Sequence, residues 1–202
     1  MTRGSQLLAE AAARWGTPLY VTDLDAAADG HRAYRAYAAA FPGALVAYAV
    51  KANPDPQLLR RLAAEGAGAE VVTAVELALA RRAGVPPERI VMNGVGKRDE
   101  ELHLALGAGV LINAESLEEL GALLALAADH PDARIGLRLN PGLDAGTHPH
   151  LATGAAESKF GIALDDLPRA LAALRAAGRQ LHSLGAHIGS DLESAEPFAS
   201  LA

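Results

Sequence analysis

From Ala44 onward the chain repeats one unit, a short apolar run followed by a stretch of helical periodicity. The runs fall at 44–50, 69–73, 89–92, 109–113, 134–139 and 181–187. Strands this short, alternating with helices of about ten residues, imply parallel pairing, because each crossover helix returns the chain to the same edge of the sheet. The helix ends between them are legible. Asp55 and Pro56 supply a cap and a first-turn proline, Ser116 and Glu119 have the spacing of a capping box, and glycines 66, 84, 107 and 178 stand where helices should stop. Ahead of the repeat lie a helix candidate, Gln6–Trp15, a strand-like alternation in "PLYVTDLD" (18–25) and a helical stretch, Ala26–Phe41. The expected organisation is an N-terminal leading unit, 1–43, and a sheet-forming unit, 44–202.

A parallel sheet either closes into a barrel or stays open and doubly wound. No Gly-x-Gly-x-x-Gly follows the first strand and no Walker-type lysine loop occurs, so the nucleotide-binding open sheet loses its main support. A TIM-type (β/α)8 barrel is favoured over the alternative, a six-strand open sheet. Six strands fall short of eight, and 202 residues fall short of the roughly 250 usual for that fold. The expectation is an incomplete barrel from a longer protein. Its unpaired edges and uncovered apolar faces predict poor solubility or a molten state for residues 1–202 expressed alone.

Composition narrows the function classes. With 50% apolar and 21% charged residues the chain can bury a core, and a net charge of -6 argues against a nucleic-acid surface. No apolar run reaches the roughly 20 residues of a membrane span, and Met1–Glu10 lacks signal-peptide features, so a cytoplasmic protein is expected. The absence of cysteine excludes disulfide and thiolate chemistry within this stretch. Small-molecule partners fit best.

In a barrel, catalytic groups sit where strands meet the loops that follow them. Lys51 ends the first apolar run. Projecting into the barrel mouth it would be partly desolvated, which makes its amine a better imine-forming nucleophile, a Schiff-base candidate; a snorkelling lysine is the bland alternative. Glu76, three residues after Thr73, has the spacing of a helix cap. Arg138, in the apolar run "RIGLRL", needs an anion or carbonyl partner if buried. His187 in "GAHIGS" offers a flat imidazole, with Gly189 permitting close backbone approach and Ser190 a hydroxyl for phosphate. The long polar segment 140–164 reads as a binding loop, and its His148–His150 pair, without a carboxylate pattern, is not read as a metal site.

Taken together, "YAVKANP" (48–54), "GAGAEVVTAVELALARRAG" (66–84), "NPGLDAGTH" (140–148), "ESKFGI" (157–162) and "HIGS" (187–190) resemble diaminopimelate decarboxylase, a pyridoxal-phosphate enzyme family of the alanine-racemase-like fold. The resemblance runs in order over essentially the whole chain. It implies a barrel followed by a β-domain, and a homodimer whose active sites lie between one subunit's barrel and the other's β-domain. It also implies decarboxylation of meso-diaminopimelate to L-lysine in lysine biosynthesis. Lys51 matches the lysine that holds pyridoxal 5'-phosphate, His187 the histidine stacked on the cofactor ring, Arg138 the arginine beneath it and Ser190 a phosphate-side serine. Glu76 matches a site-shaping glutamate. Glu70 stands where relatives often have aspartate, and "TAVEL" replaces the more usual Ser-Gly-Gly-Glu-Leu. The glycine-rich phosphate loop, the glutamate at the pyridine nitrogen, the substrate arginine and the catalytic cysteine of such enzymes have no match here, so the chain alone is expected to be inactive. A non-catalytic pyridoxal-phosphate-binding barrel, a related ornithine or arginine decarboxylase and, more weakly, a racemase are the rival readings.

Overall fold

The computed structural model describes residues 3–142, 160–190, 194 and 196–201. Helices α1 (Arg3–Trp15) and α2 (Leu24–Ala38) lead into β1 (Ala47–Ala49). There follow α3 (Pro56–Ala64), β2 (Gly68–Val71), α4 (Ala74–Arg82), β3 (Ile90–Met92), α5 (Asp99–Ala108), β4 (Leu111–Ala114), α6 (Leu117–Leu126) and β5 (Arg134–Asn140). After β6 (Ile162–Ala163) come α7 (Leu167–Ala176), β7 (Leu181–Ala186) and α8 (Glu196–Leu201). Strands β1 to β5 pair in sequence order, and β6 and β7 both pair with β5, all in parallel. The result is a partial (β/α) barrel with seven strands among the described residues. Six were expected; the seventh is the two-residue β6, too short to leave a periodic signal.

Alternation along the strands gives the sheet two faces. Ala69, Val71, Met92, Ile112, Ile135 and Leu137 are buried and pack with α4–α7 through residues such as Leu77, Leu102, Leu120, Leu123 and Leu174. Glu70, Asn93, Asn113 and Arg138 occupy the other parity and line the inner face. Side chains cap α3, α4 and α6 in the loops that follow β1, β2 and β4. Asp55 accepts the backbone N–H of Gln57 and Leu58 at 2.9 Å each, Thr73 that of Glu76, and Ser116 that of Glu119.

Two expectations are corrected. "PLYVTDLD" forms no strand: residues 18–23 are irregular, Tyr20 is fully exposed, and Asp23 instead caps α2 by accepting from Asp25 and Ala26. Alternation alone cannot make a strand without a neighbour to pair with, and none flanks it among the described residues. Gly107 lies inside α5; the helix ends at Gly109, whose φ of 70° supplies the left-handed cap. Gly66, Gly84 and Gly178 have positive φ just past α3, α4 and α7, as expected.

Candidate active site

At the C-terminal end of the strands lies a cleft of about 420 Å³, within the range of small-molecule sites. Lys51, Glu70, Arg138, Gly185, His187 and Ser190 line it, together with Asn93 and Asn113. Four of the sequence-derived candidates, Lys51, Arg138, His187 and Ser190, therefore meet in one place. Glu76 is not among the lining residues. Its carboxylate accepts the Val72 N–H at 2.7 Å while its own N–H donates to Thr73, which is the capping arrangement its spacing suggested. The segment 143–159, with His148, His150 and most of "NPGLDAGTH", lies outside the described residues.

Lys51 sits one step beyond its expected place. The first strand ends at Ala49, and the lysine rides on a single 3-10 turn, Val50–Ala52, that anchors through the fully buried Val50. The expected desolvation is not observed: the turn carries Lys51 past the last paired residue, and its side chain is exposed at the cleft edge. His187 follows β7 at the opposite side. Burial against the protein lowers its pKa from the ordinary value, the cations of Arg138 and Lys51 lower it further, and Glu115 partly offsets them. These surroundings favour the neutral form of the ring.

Arg138 has the anion its place in an apolar strand demanded. Its Nη1 donates to both oxygens of Glu115, at 3.1 and 3.0 Å, and its guanidinium lies 5.0 Å from the centroid of the Phe160 ring. The next residue, Gly161, has a φ of 81° and passes so close to β5 that a Cβ would stand 2.7 Å from the Asn140 nitrogen. The "FG" of the sequence motif thus covers the arginine with one residue and presses on its strand with the next.

A hydrogen-bonded belt, unseen in the sequence, crosses the inner face beneath these groups. Asn93 donates to Glu70 at 3.2 Å, Asn113 to Asn93 at 2.8 Å, and Ser183 to Asn113 at 2.7 Å. Behind it Lys97, with 1% of its side chain exposed, donates to the carbonyls of Gly94 and Asn113 and to Glu119. The clue available in sequence was a polar residue on the inward parity of neighbouring strands.

Residues 28–202 match the family described as "Pyridoxal-dependent decarboxylase, pyridoxal binding domain". The chain belongs to this family. It is similar to the diaminopimelate decarboxylases of Deinococcus radiodurans, 43% identical over 99% of this chain and 50% of the relative, and Aquifex aeolicus, 42% identical over 95% and 46%. The crystal structure of diaminopimelate decarboxylase from Helicobacter pylori complexed with L-lysine is similar at a TM-score of 0.86 and 34% identity, covering 96% of this chain and 50% of that one. The chain spans about half the length of the relatives it matches.

The cleft fits the family's cofactor, pyridoxal phosphate, on its own chemistry. It holds an accessible amine in Lys51, a flat neutral imidazole in His187, guanidinium donors in Arg138 and a hydroxyl in Ser190. Gly185 leaves its part of the cleft wall without a side chain: a Cβ there would meet only the Asn113 Nδ2, at 3.8 Å.

Proposed function

We propose that this chain carries the cofactor-lysine half of a pyridoxal-phosphate-dependent decarboxylase that converts meso-diaminopimelate to L-lysine. The convergence of Lys51, Arg138, His187 and Ser190 on one cleft at the strand ends carries this reading, supported by the relatives' names. When bound, pyridoxal phosphate supplies an electron sink for the pair left behind as carbon dioxide departs.

The chain's own residues bind and orient. Lys51, exposed at the cleft edge, would hold the cofactor through its amine while leaving that amine within reach of a substrate. The imidazole of His187, whose surroundings disfavour its charged form, would present a flat face against which the cofactor could be oriented. Ser190 donates to a phosphate oxygen. Arg138 would supply positive charge to the cleft, and Glu76 would shape the site at a distance by holding the start of α4. The active enzyme is a homodimer in the cytoplasm, with a partner subunit completing each site. Among the described residues no helix is long and apolar enough to cross a membrane.

Borohydride reduction of the full-length protein with pyridoxal phosphate, followed by peptide mass analysis, tests this. A pyridoxyl tag on Lys51, lost along with turnover in Lys51→Ala, is the expected result; an untagged Lys51 overturns the assignment. Carbon dioxide release from diaminopimelate, and not from ornithine or arginine, separates this reading from its relatives and from a non-catalytic barrel.

A further inference from the structure

Glu115 is the most deeply buried carboxylate at the strand ends. It follows β4 directly, just ahead of the α6 cap Ser116, and 1% of its side chain is exposed. One oxygen accepts the Gly94 N–H at 2.5 Å, and both face Nη1 of Arg138. The neighbouring cation, Lys97, is engaged with Glu119, so Arg138 is the ion-pair partner of Glu115. Burying such a pair brings little net stability, since desolvating two charges consumes the Coulomb gain and an apolar pair of equal volume does as well. Its geometry is informative instead. Among the described residues only Nη1 of Arg138 has a hydrogen-bond partner, while Phe160 covers the guanidinium plane.

Building on the function proposed above, we infer that Glu115 is the positioning residue for Arg138: by holding Nη1 from behind, it commits Nε and Nη2 to a ligand in the cleft. Glu115 does not line the cleft and so acts through the arginine. Its carboxylate also offsets the arginine's charge where His187 and Lys51 face it, so a neutral residue at 115 leaves the cleft one unit more positive. Gly94 and Ser116 beside it bring no charge, and Glu119, the other carboxylate close by, is occupied by Lys97.

The test is a double-mutant cycle in the full-length protein, read by the affinity for pyridoxal phosphate, with borohydride tagging of Lys51 as control. Glu115→Gln and Arg138→Gln each weaken binding by about tenfold, and the double variant is no weaker than Arg138→Gln alone, because the glutamate has nothing left to position. Glu115→Asp restores part of the affinity. Wild-type affinity in Glu115→Gln, or losses that multiply in the double variant, overturns the inference. Should Glu115→Gln fail to fold by circular dichroism, Arg138→Gln and the charge-neutral double variant are compared directly: equal affinities support the coupling and a further tenfold loss overturns it. If wild-type Lys51 is untagged, the functional reading fails; if it is tagged while Glu115→Gln binds normally, only the positioning role fails.

Discussion

Adding one methyl group at position 136 should damage this barrel more than any other alanine substitution on its inner face. Asn113, Gly136 and Ser183 are register partners on β4, β5 and β7. They point the same way, and the hydrogen bond between Asn113 and Ser183 passes over the glycine. A Cβ at 136 would lie 2.0 Å from both the Asn113 Oδ1 and the Ser183 Oγ. Neither atom belongs to a long flexible chain that can swing aside, so Gly136→Ala must break that bond and push two strands apart. Overpacking of this kind costs about 1–3 kcal/mol and a buried polar pair left unsatisfied about the same, giving roughly 3 kcal/mol or more. In the full-length protein, for a domain of this size, that lowers Tm by about 6–12 °C. Urea denaturation followed by circular dichroism measures it. A midpoint within 0.5 kcal/mol of the parent would refute the claim that the belt excludes a side chain here. Gly136→Ala should also weaken pyridoxal phosphate, since the belt holds Glu70 through Asn93.

Lys97→Met leaves the Glu119 carboxyl, whose pKa burial already raises, without its cation and should cost about 3 kcal/mol; adding Glu119→Leu should return at least half of it, measured by the same midpoints. Acid should weaken the fold through two histidines. His187 is held below its ordinary value by burial, then Arg138 and Lys51, and His31 by burial, then Arg35. The unfolded chain therefore takes up protons near pH ~6.5 that the folded chain refuses, so stability is complete above that pH and declines as pH falls toward the lowered values. The urea midpoint should drop between pH 7.5 and 5.5, less steeply in His31→Gln and His187→Gln; slopes unchanged in both would contradict this.

Features that depend on neighbours in sequence were readable from it. Asp55 and Pro56 start α3 because a carboxylate two and three residues ahead of free N–H groups caps them whatever surrounds it. The parallel alternation was readable for the same reason. What escaped depends on register. That Arg138 needs an anion follows from its apolar strand, but choosing Glu115, 23 residues away, requires knowing how β4 lies against β5. The belt joins Asn93, Asn113 and Ser183 by bonds between residues 20 and 70 apart, and each member alone is an unremarkable polar residue. "PLYVTDLD" failed in the opposite sense: its local pattern was sound and its pairing partner was missing.

The site and the core are two parities of the same strands, and this ties function to register more tightly than either core packing or a good cleft alone would. On β4, Ile112 and Ala114 are fully buried toward the helices while Asn113 faces the belt; on β5, Leu137 is fully buried while Gly136 and Arg138 face inward. A slip of one residue in β5 would drive Arg138 among the helices as an unpaired charge and present Leu137 to the ligand. The Glu115 pair would be lost and a side chain forced into the place of Gly136. The energy that excludes the slipped register is thus supplied partly by the groups that form the cleft, so a folded sheet already has its lysine, arginine and histidine facing one another before any ligand arrives.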